Sequence, residues 1–217
     1  KMPPRKIAEL LVSEMKTENT YIRKAEVAGP GFVNFYLNND WLYDTLRLIR
    51  EKKDKYGEVD IGKGIRVNVE FVSANPTGPL HMGNARGGAL GDCIASVLEK
   101  AGYDVTREFY INDAGNQIER FGRSLEARYL QHFYGEGKVE FPEDGYHGED
   151  IIEHVKAYIE QHGDALLSKT PEERRQALVD YALPINIQRI RDALSEYGIE
   201  YDVWFSEKSL YENGELE

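Results

Sequence analysis

Ile7, Leu10, Leu11 and Met15 recur at helical spacing behind Pro3 and Pro4, which predicts an amphipathic helix over residues 3–16. Two strand-like runs, Tyr21 to Val27 and Phe32 to Leu37, flank the turn Ala28-Gly29-Pro30-Gly31 and predict a hairpin. A second helix is expected from Asp40, as N-cap, to Tyr56, with Gly57 as its stop. After the linker Asp60 to Gly64, Val67, Val69 and Phe71 alternate with Arg66, Asn68 and Glu70 in a strand expected over Ile65 to Val72. A Pro/Gly turn, a helix from His81 to Ala101, the stop Gly102 and a strand from Tyr103 to Ile111 follow. Strand, turn, helix and strand make the building block of a parallel sheet covered by helices.

The pattern then becomes helical from about Gly115 to Gly198. Thr170-Pro171-Glu172-Glu173 is a capping box with proline at the first helical position, and Pro184 is expected to kink the segment it opens. Ile199 to Phe205 reads as a further strand. The fold class is therefore α/β: a partial parallel sheet with a helical insertion, preceded by a small α/β unit. Cys93, Val97 and Leu98 lie on apolar faces of the helix after His81 and are expected in the core.

A length of 217 residues with 41% hydrophobic and 30% charged side chains excludes disordered and collagenous classes. No run approaches the roughly 18 apolar residues of a membrane span, and the N-terminus lacks a secretory h-region. A soluble, cytoplasmic protein without a membrane partner is expected. The single Cys93 forms no internal disulfide, and no Cys/His cluster suggests a metal site. A start at Lys1 rather than Met suggests a piece of a longer protein. The net charge of −11 disfavours nucleic acid at first sight, but the excess lies wholly in residues 121–217, with 10 basic and 21 acidic side chains. The first 120 residues remain free to present a local basic surface.

Candidate chemistry concentrates between Glu70 and Gly88. Gly83, Gly87 and Gly91 share one helix face, with Gly88 beside them. Four interior glycines cost roughly 3–4 kcal/mol relative to alanine unless something presses closely on that backbone. Tight packing on a strand would do so, as would a phosphate at the helix start, and both can hold along one helix. His81 and Asn84, in the first turn, can cap the helix or donate hydrogen bonds to phosphate oxygens. Glu70 stands in an apolar strand expected to be covered on both faces, where a carboxylate needs a cation. An Arg or Lys of the protein could supply it, or a guanidinium substrate bound bidentately at the carboxyl end of the strand. Asn112 to Gln117 places a second polar loop at the same sheet edge.

The run Glu70 to Asn84, with Ser73-Ala74-Asn75-Pro76-Thr77-Gly78-Pro79-Leu80 inside it, then Arg86-Gly87-Gly88 and Arg107 to Gln117, resembles the bacterial arginyl-tRNA synthetases. His81-Met82-Gly83-Asn84 stands where class I synthetases carry a His-Ile-Gly-His signature. The resemblance implies the rear part of an N-terminal accessory domain that contacts tRNA over 1–58. It further implies the first half of a Rossmann-like catalytic core over 59–116, a helical connective insertion over 117–200 and a return to the core over 201–217. Its activity would be ATP-dependent conversion of L-arginine to arginyl-adenylate, then transfer to tRNA(Arg). Glu70, Ser73 and Asn75 would hold arginine. His81, Gly83, Asn84 and Gly87 would face ATP, with His81 and Asn84 in the catalytic role. ATP and its Mg2+ would arrive as substrate, with no tightly bound cofactor, and the protein is expected to be a monomer.

Two departures stand out. Asn84 replaces the second signature histidine and keeps donors without a titratable charge. The chain also carries no Lys-Met-Ser-Lys-type loop, later half-sheet or anticodon-binding domain, so the 217 residues alone are expected not to aminoacylate. Competing readings are a small nucleotidyltransferase with a related phosphate site and a non-catalytic tRNA-binding module.

Overall fold

The computed structural model describes residues 2–214, so Lys1 and the last three residues of the expected 201–217 segment lie outside it. The chain divides into two compact units, residues 1–58 and 59–217. In the first, helix α1 (Pro4–Glu14), strands β1 (Ile22–Ala28) and β2 (Phe32–Leu37) and helix α2 (Asp40–Lys52) follow in order. The strands pair antiparallel, Ala28 opposite Phe32, around a turn in which Gly29 takes φ +52°. Asn39 rather than Asp40 is the N-cap of α2, because Asn38 Oδ1 accepts from the Asp40 N–H at 3.2 Å and starts the turn one residue early. The helix stops at Lys52, and a 3₁₀ turn over Lys53–Lys55 takes the place of its expected last turn. Ala8 is the one fully buried hydrophobic residue among the described residues of this unit.

The second unit is built on a parallel sheet of order β3-β4-β5, with β3 Arg66–Glu70, β4 Asp104–Ile111 and β5 Val203–Ser206. Helix α3 (Met82–Lys100) makes the crossover from β3 to β4. Helices α4 (Asn116–Tyr134), α5 (Glu149–His162) and α6 (Pro171–Glu196) are inserted before β5, and a short α7 (Lys208–Glu212) follows it. The predicted capping box forms at the start of α6, where Thr170 Oγ1 accepts from the Glu173 N–H and Glu173 accepts from the Thr170 N–H. Pro184 lies inside α6, a single helix of 26 residues.

Two apolar clusters follow from this order. One lies within the insertion, around Phe121, Tyr129, Ile151 and Leu178. The other packs Phe71, Phe109 and Ile111 of the sheet side against Ile190 and Leu194 of α6 and Ile199. Helix α3 covers the same side, since a Cβ on Gly91 would lie 2.2 Å from the Phe71 ring. Arg107 on β4 ties α3 down through Glu99, at 2.5 and 3.0 Å, and Asp92, at 3.4 Å.

Both-face coverage of the sheet is not what the structure shows. Arg66, Asn68 and Glu70 alternate outward and are exposed, because the helices of the described chain pack where Val69, Phe71 and Phe109 point. The assignment of Cys93, Val97 and Leu98 to the core fails for a related reason. Cys93 is exposed, Val97 is 67% exposed and Leu98 is half-buried, since α3 turns its Gly88, Gly91 and Ala95 face inward instead.

Candidate functional site

Strand β3 ends at Glu70, and the chain leaves the sheet through an unusual turn. The Ser73 N–H donates to the Phe71 carbonyl at 3.0 Å with Val72 at φ +67°, a γ-turn of the strained type, and Ser73 follows at φ +40°. A β-branched residue in this region is a genuine outlier, held only where neighbours over-determine it. Two bonds do so here. The Tyr201 hydroxyl donates to the Phe71 carbonyl at 3.0 Å, and Ser73 Oγ accepts the Tyr110 N–H of β4 at 3.1 Å. Ser73 thus stands in for a ladder carbonyl where the strand has departed. Burial pushes the Tyr201 phenol pKa up and keeps it a donor.

Glu70 is exposed, and its carboxylate has no hydrogen-bond or ion-pair partner among the described residues. The sequence expectation of a buried carboxylate is corrected, and of the two cation sources left open there, no Arg or Lys among the described residues pairs with it. Parallel register sets Glu108 of β4 directly beside it, its carboxylate also without a partner among the described residues. Two like charges on one sheet face repel unless a cation sits between them. Tyr110 shares that face, its phenol pKa raised by desolvation and then by Glu207, Tyr211, Asp113 and Glu70. The edge is electronegative and open.

His81 is the N-cap of α3, and the cap is reciprocal. Its Nδ1 accepts from the Gly83 N–H at 3.1 Å, and Asn84 Oδ1 accepts from the His81 N–H at 3.0 Å. An accepting Nδ1 places the neutral ring's proton on Nε2. The capping reading of this pair therefore holds, and Nε2–H and the Asn84 amide nitrogen are left without partners among the described residues. The glycines divide in the same way. Gly88 and Gly91 are packed on Ile199 and Phe71, Gly83 leaves room for the His81 ring, and Gly87 faces open space. An open apolar cleft of about 520 Å³ adjoins the cap, lined by Leu80, His81, Met82, Ala85, Leu194 and Tyr197.

Asn75 is exposed, and its side chain comes within 3.2 Å of Asn112 across the two loops. The amide of Asn112, oriented by its neighbours, donates to Glu207 at 2.7 Å and to the Ala114 carbonyl at 3.1 Å. Asp113 accepts from Ser206 Oγ at 2.5 Å and from the Lys208 N–H at 2.9 Å, locking the end of β5 to the loop after β4. The structure therefore brings Asn75 beside Asn112, and ties Glu207, absent from the sequence expectations, to the same edge. Glu207 carries no sequence signal of its own, since it follows an ordinary short strand. Among the described residues no group of three or more His, Cys, Asp or Glu could hold a metal ion.

A parallel sheet whose first crossover helix is capped by a signature-like tetrapeptide, with a polar edge and a helical insertion, has the layout of a class I aminoacyl-tRNA synthetase core. The comparisons agree. A family model described as the tRNA synthetases class I (R) catalytic domain matches residues 45–212, and one described as the arginyl tRNA synthetase N terminal domain matches residues 1–37. The chain belongs to this class I (R) synthetase family. Its similarity to arginine–tRNA ligases is high: 70% identity over 213 residues to that of Acetivibrio thermocellus, covering 98% of this chain and 38% of the relative. The Ruminiclostridium cellulolyticum ligase is 61% identical over 216 residues, again covering 38% of its length. The solved arginyl-tRNA synthetase of Thermus thermophilus aligns with a TM-score of 0.51 at 26% identity, over 98% of this chain and 34% of that one. A Campylobacter jejuni structure aligns at 0.69 and 32% identity, over 81% of this chain and 38% of that one. The chain thus spans about two fifths of the length of the curated relatives it matches.

Proposed function

We propose that this chain forms the activation half-site of an arginine–tRNA ligase, in which L-arginine and ATP meet at the carboxyl edge of β3 and the capped start of α3. One observation carries the arginine part: Glu70 and Glu108 lie side by side, and no Arg or Lys among the described residues pairs with either. A guanidinium can donate to both carboxylates and offset one of their two charges. Asn75 and the Ser73 hydroxyl, whose proton remains available while its oxygen accepts from Tyr110, would hold the rest of the amino acid. The substrate carboxylate then attacks the α-phosphorus of ATP, the bond to the bridging oxygen breaks, and pyrophosphate leaves. Nε2–H of His81 and the Asn84 amide donate to the phosphate oxygens as charge builds there. Neutral donors suffice for this, so Asn84 serves without a titratable ring. Gly83 and Gly87 let the phosphates approach the helix start, with Mg2+ arriving on the nucleotide.

Residues 1–58 would serve as the accessory part that meets tRNA(Arg), 59–116 as the first half of the core, 117–200 as the connective insertion and 201–217 as the return to the core. The full-length protein is read as a cytoplasmic monomer, and the 217-residue piece is expected to be inactive alone. Glu70→Gln in the full-length protein keeps the side chain's shape and removes its charge. The Michaelis constant for arginine in pyrophosphate exchange should rise at least about tenfold, with little change in that for ATP. An unchanged constant for arginine would remove Glu70 from the site.

A further inference from the structure

The loop between Glu70 and His81 is fastened at three places. Its first end is held by Ser73 and Tyr201, and its last by the His81/Asn84 cap. The middle is held from the insertion. Asn186 of α6, 3% exposed, donates through Nδ2 to the Pro76 carbonyl at 3.0 Å, across 110 residues of sequence. Its Oδ1 lies 2.7 Å from Nε2 of His154 on α5, also 3% exposed. Among the described residues this is the only hydrogen bond from α4, α5 or α6 to residues 71–82.

The direction of each bond follows from chemistry. A carbonyl can only accept, so the Asn186 amide nitrogen faces Pro76 and its oxygen faces His154. His154 Nε2 must therefore carry a proton. Burial, above all, lowers the His154 pKa, with the Arg189 charge adding to it and the bond to Asn186 opposing it, so the ring is neutral and fixed as the Nε2–H tautomer. Pro76 has no N–H, so its carbonyl is the only backbone handle at that residue. Pro76 and Thr77 are themselves buried. Asn75, one residue before the held carbonyl, is the side chain that reaches Asn112.

We propose that Asn186 is a positioning residue for amino-acid activation. Oriented by neutral His154, it fixes the Pro76 carbonyl and thereby the distance between the arginine-holding residues before it and the His81/Asn84 donors after it. The inference rests on the activation reading above. In that reading the residues holding the carboxylate and those facing the phosphate stand at opposite ends of one loop, and a shift of about 1 Å in such an arrangement can cost about a hundredfold in rate.

The test uses the full-length protein in arginine-dependent ATP–pyrophosphate exchange with tRNA(Arg) present. Asn186→Asp keeps the size and the acceptor toward His154 but loses the donor to Pro76. Asn186→Leu loses both, and His154→Gln keeps an N–H donor. Both Asn186 variants should lose at least about tenfold in kcat/KM for arginine per folded molecule, while His154→Gln should stay within about threefold of wild type. Amide hydrogen exchange over residues 72–84 should accelerate in Asn186→Asp with the rest of the sheet unchanged, a readout that does not depend on activity. Wild-type kcat/KM in folded Asn186→Asp, or losses that vanish once normalised to the folded fraction, would overturn the proposal. Absence of arginine-dependent exchange in the wild type would instead remove the activation reading and this role with it.

Discussion

Two glycines four residues apart on α3 should respond to alanine with opposite signs. At Gly91 an added Cβ would lie 2.2 Å from Cγ and 2.5 Å from Cβ of Phe71, against the roughly 3.4–4 Å of ordinary contact. These atoms are at the root of the ring rather than its far end, and Phe71 is itself buried in the sheet cluster, so relief requires α3 and β3 to separate. Overpacking of this kind costs about 1–3 kcal/mol, and the upper part of that range applies where no flexible end can yield. Helix propensity returns about 1 kcal/mol, leaving Gly91→Ala destabilised by about 1–2 kcal/mol. At Gly87 an added Cβ meets nothing within 4 Å, so Gly87→Ala keeps the propensity gain and should be more stable by about 0.5–1 kcal/mol. Urea unfolding followed by Trp204 fluorescence reports directly, because that indole stacks on Phe109 in the same cluster, at 4.5 Å between ring centroids. Midpoints in the order Gly87→Ala, wild type, Gly91→Ala are expected. Equal midpoints for the two variants, or a stabilised Gly91→Ala, would refute the assignment of close packing to Gly91 and open space to Gly87.

Ser73→Ala leaves the Tyr110 N–H without its acceptor and should lower stability by about 1–2 kcal/mol in the same urea assay. No change would mean that the ladder does not need the hydroxyl. His154 is held neutral by burial, so its folded pKa lies below the unfolded value of 6.5. The unfolded chain then binds more protons, and stability is intact above pH 6.5 and falls as the pH drops below it, by at most about 1.4 kcal/mol per unit. Urea midpoints at pH 7.5 and 5.5 should therefore differ less in His154→Gln than in wild type, and an identical acid slope would contradict the burial.

The sequence alone determined most of the order of elements by local rules: periodicity for the first helices, Gly29 and Gly102 for the turns, and the Thr170 box for the start of α6; the division of the preceding helical stretch into α4 and α5, and the short α7, had no such signal. It also determined the polar turn after Glu70 and the capped start of α3, because both sit within one short run, whereas Glu108 and Glu207 join that edge only through the tertiary structure. What it could not decide was whether one face of the sheet or both are covered. Alternation in β3 marks Val67, Val69 and Phe71 as a covered face, but only the packing of α3 and α6 on that side left Glu70 outward beside Glu108. Burial along α3 went astray for the same reason, because glycines rather than Cys93 and Val97 form its inner side. His154 and Asn186 had a signal that was readable but silent about partners: each interrupts an apolar stripe, beside Ile151 and Val155 in one case and between Ala182 and Ile190 in the other. A polar group on such a stripe must find a partner, but a partner 110 residues away is named only by the tertiary structure, because long-range hydrogen bonds leave no period in the sequence.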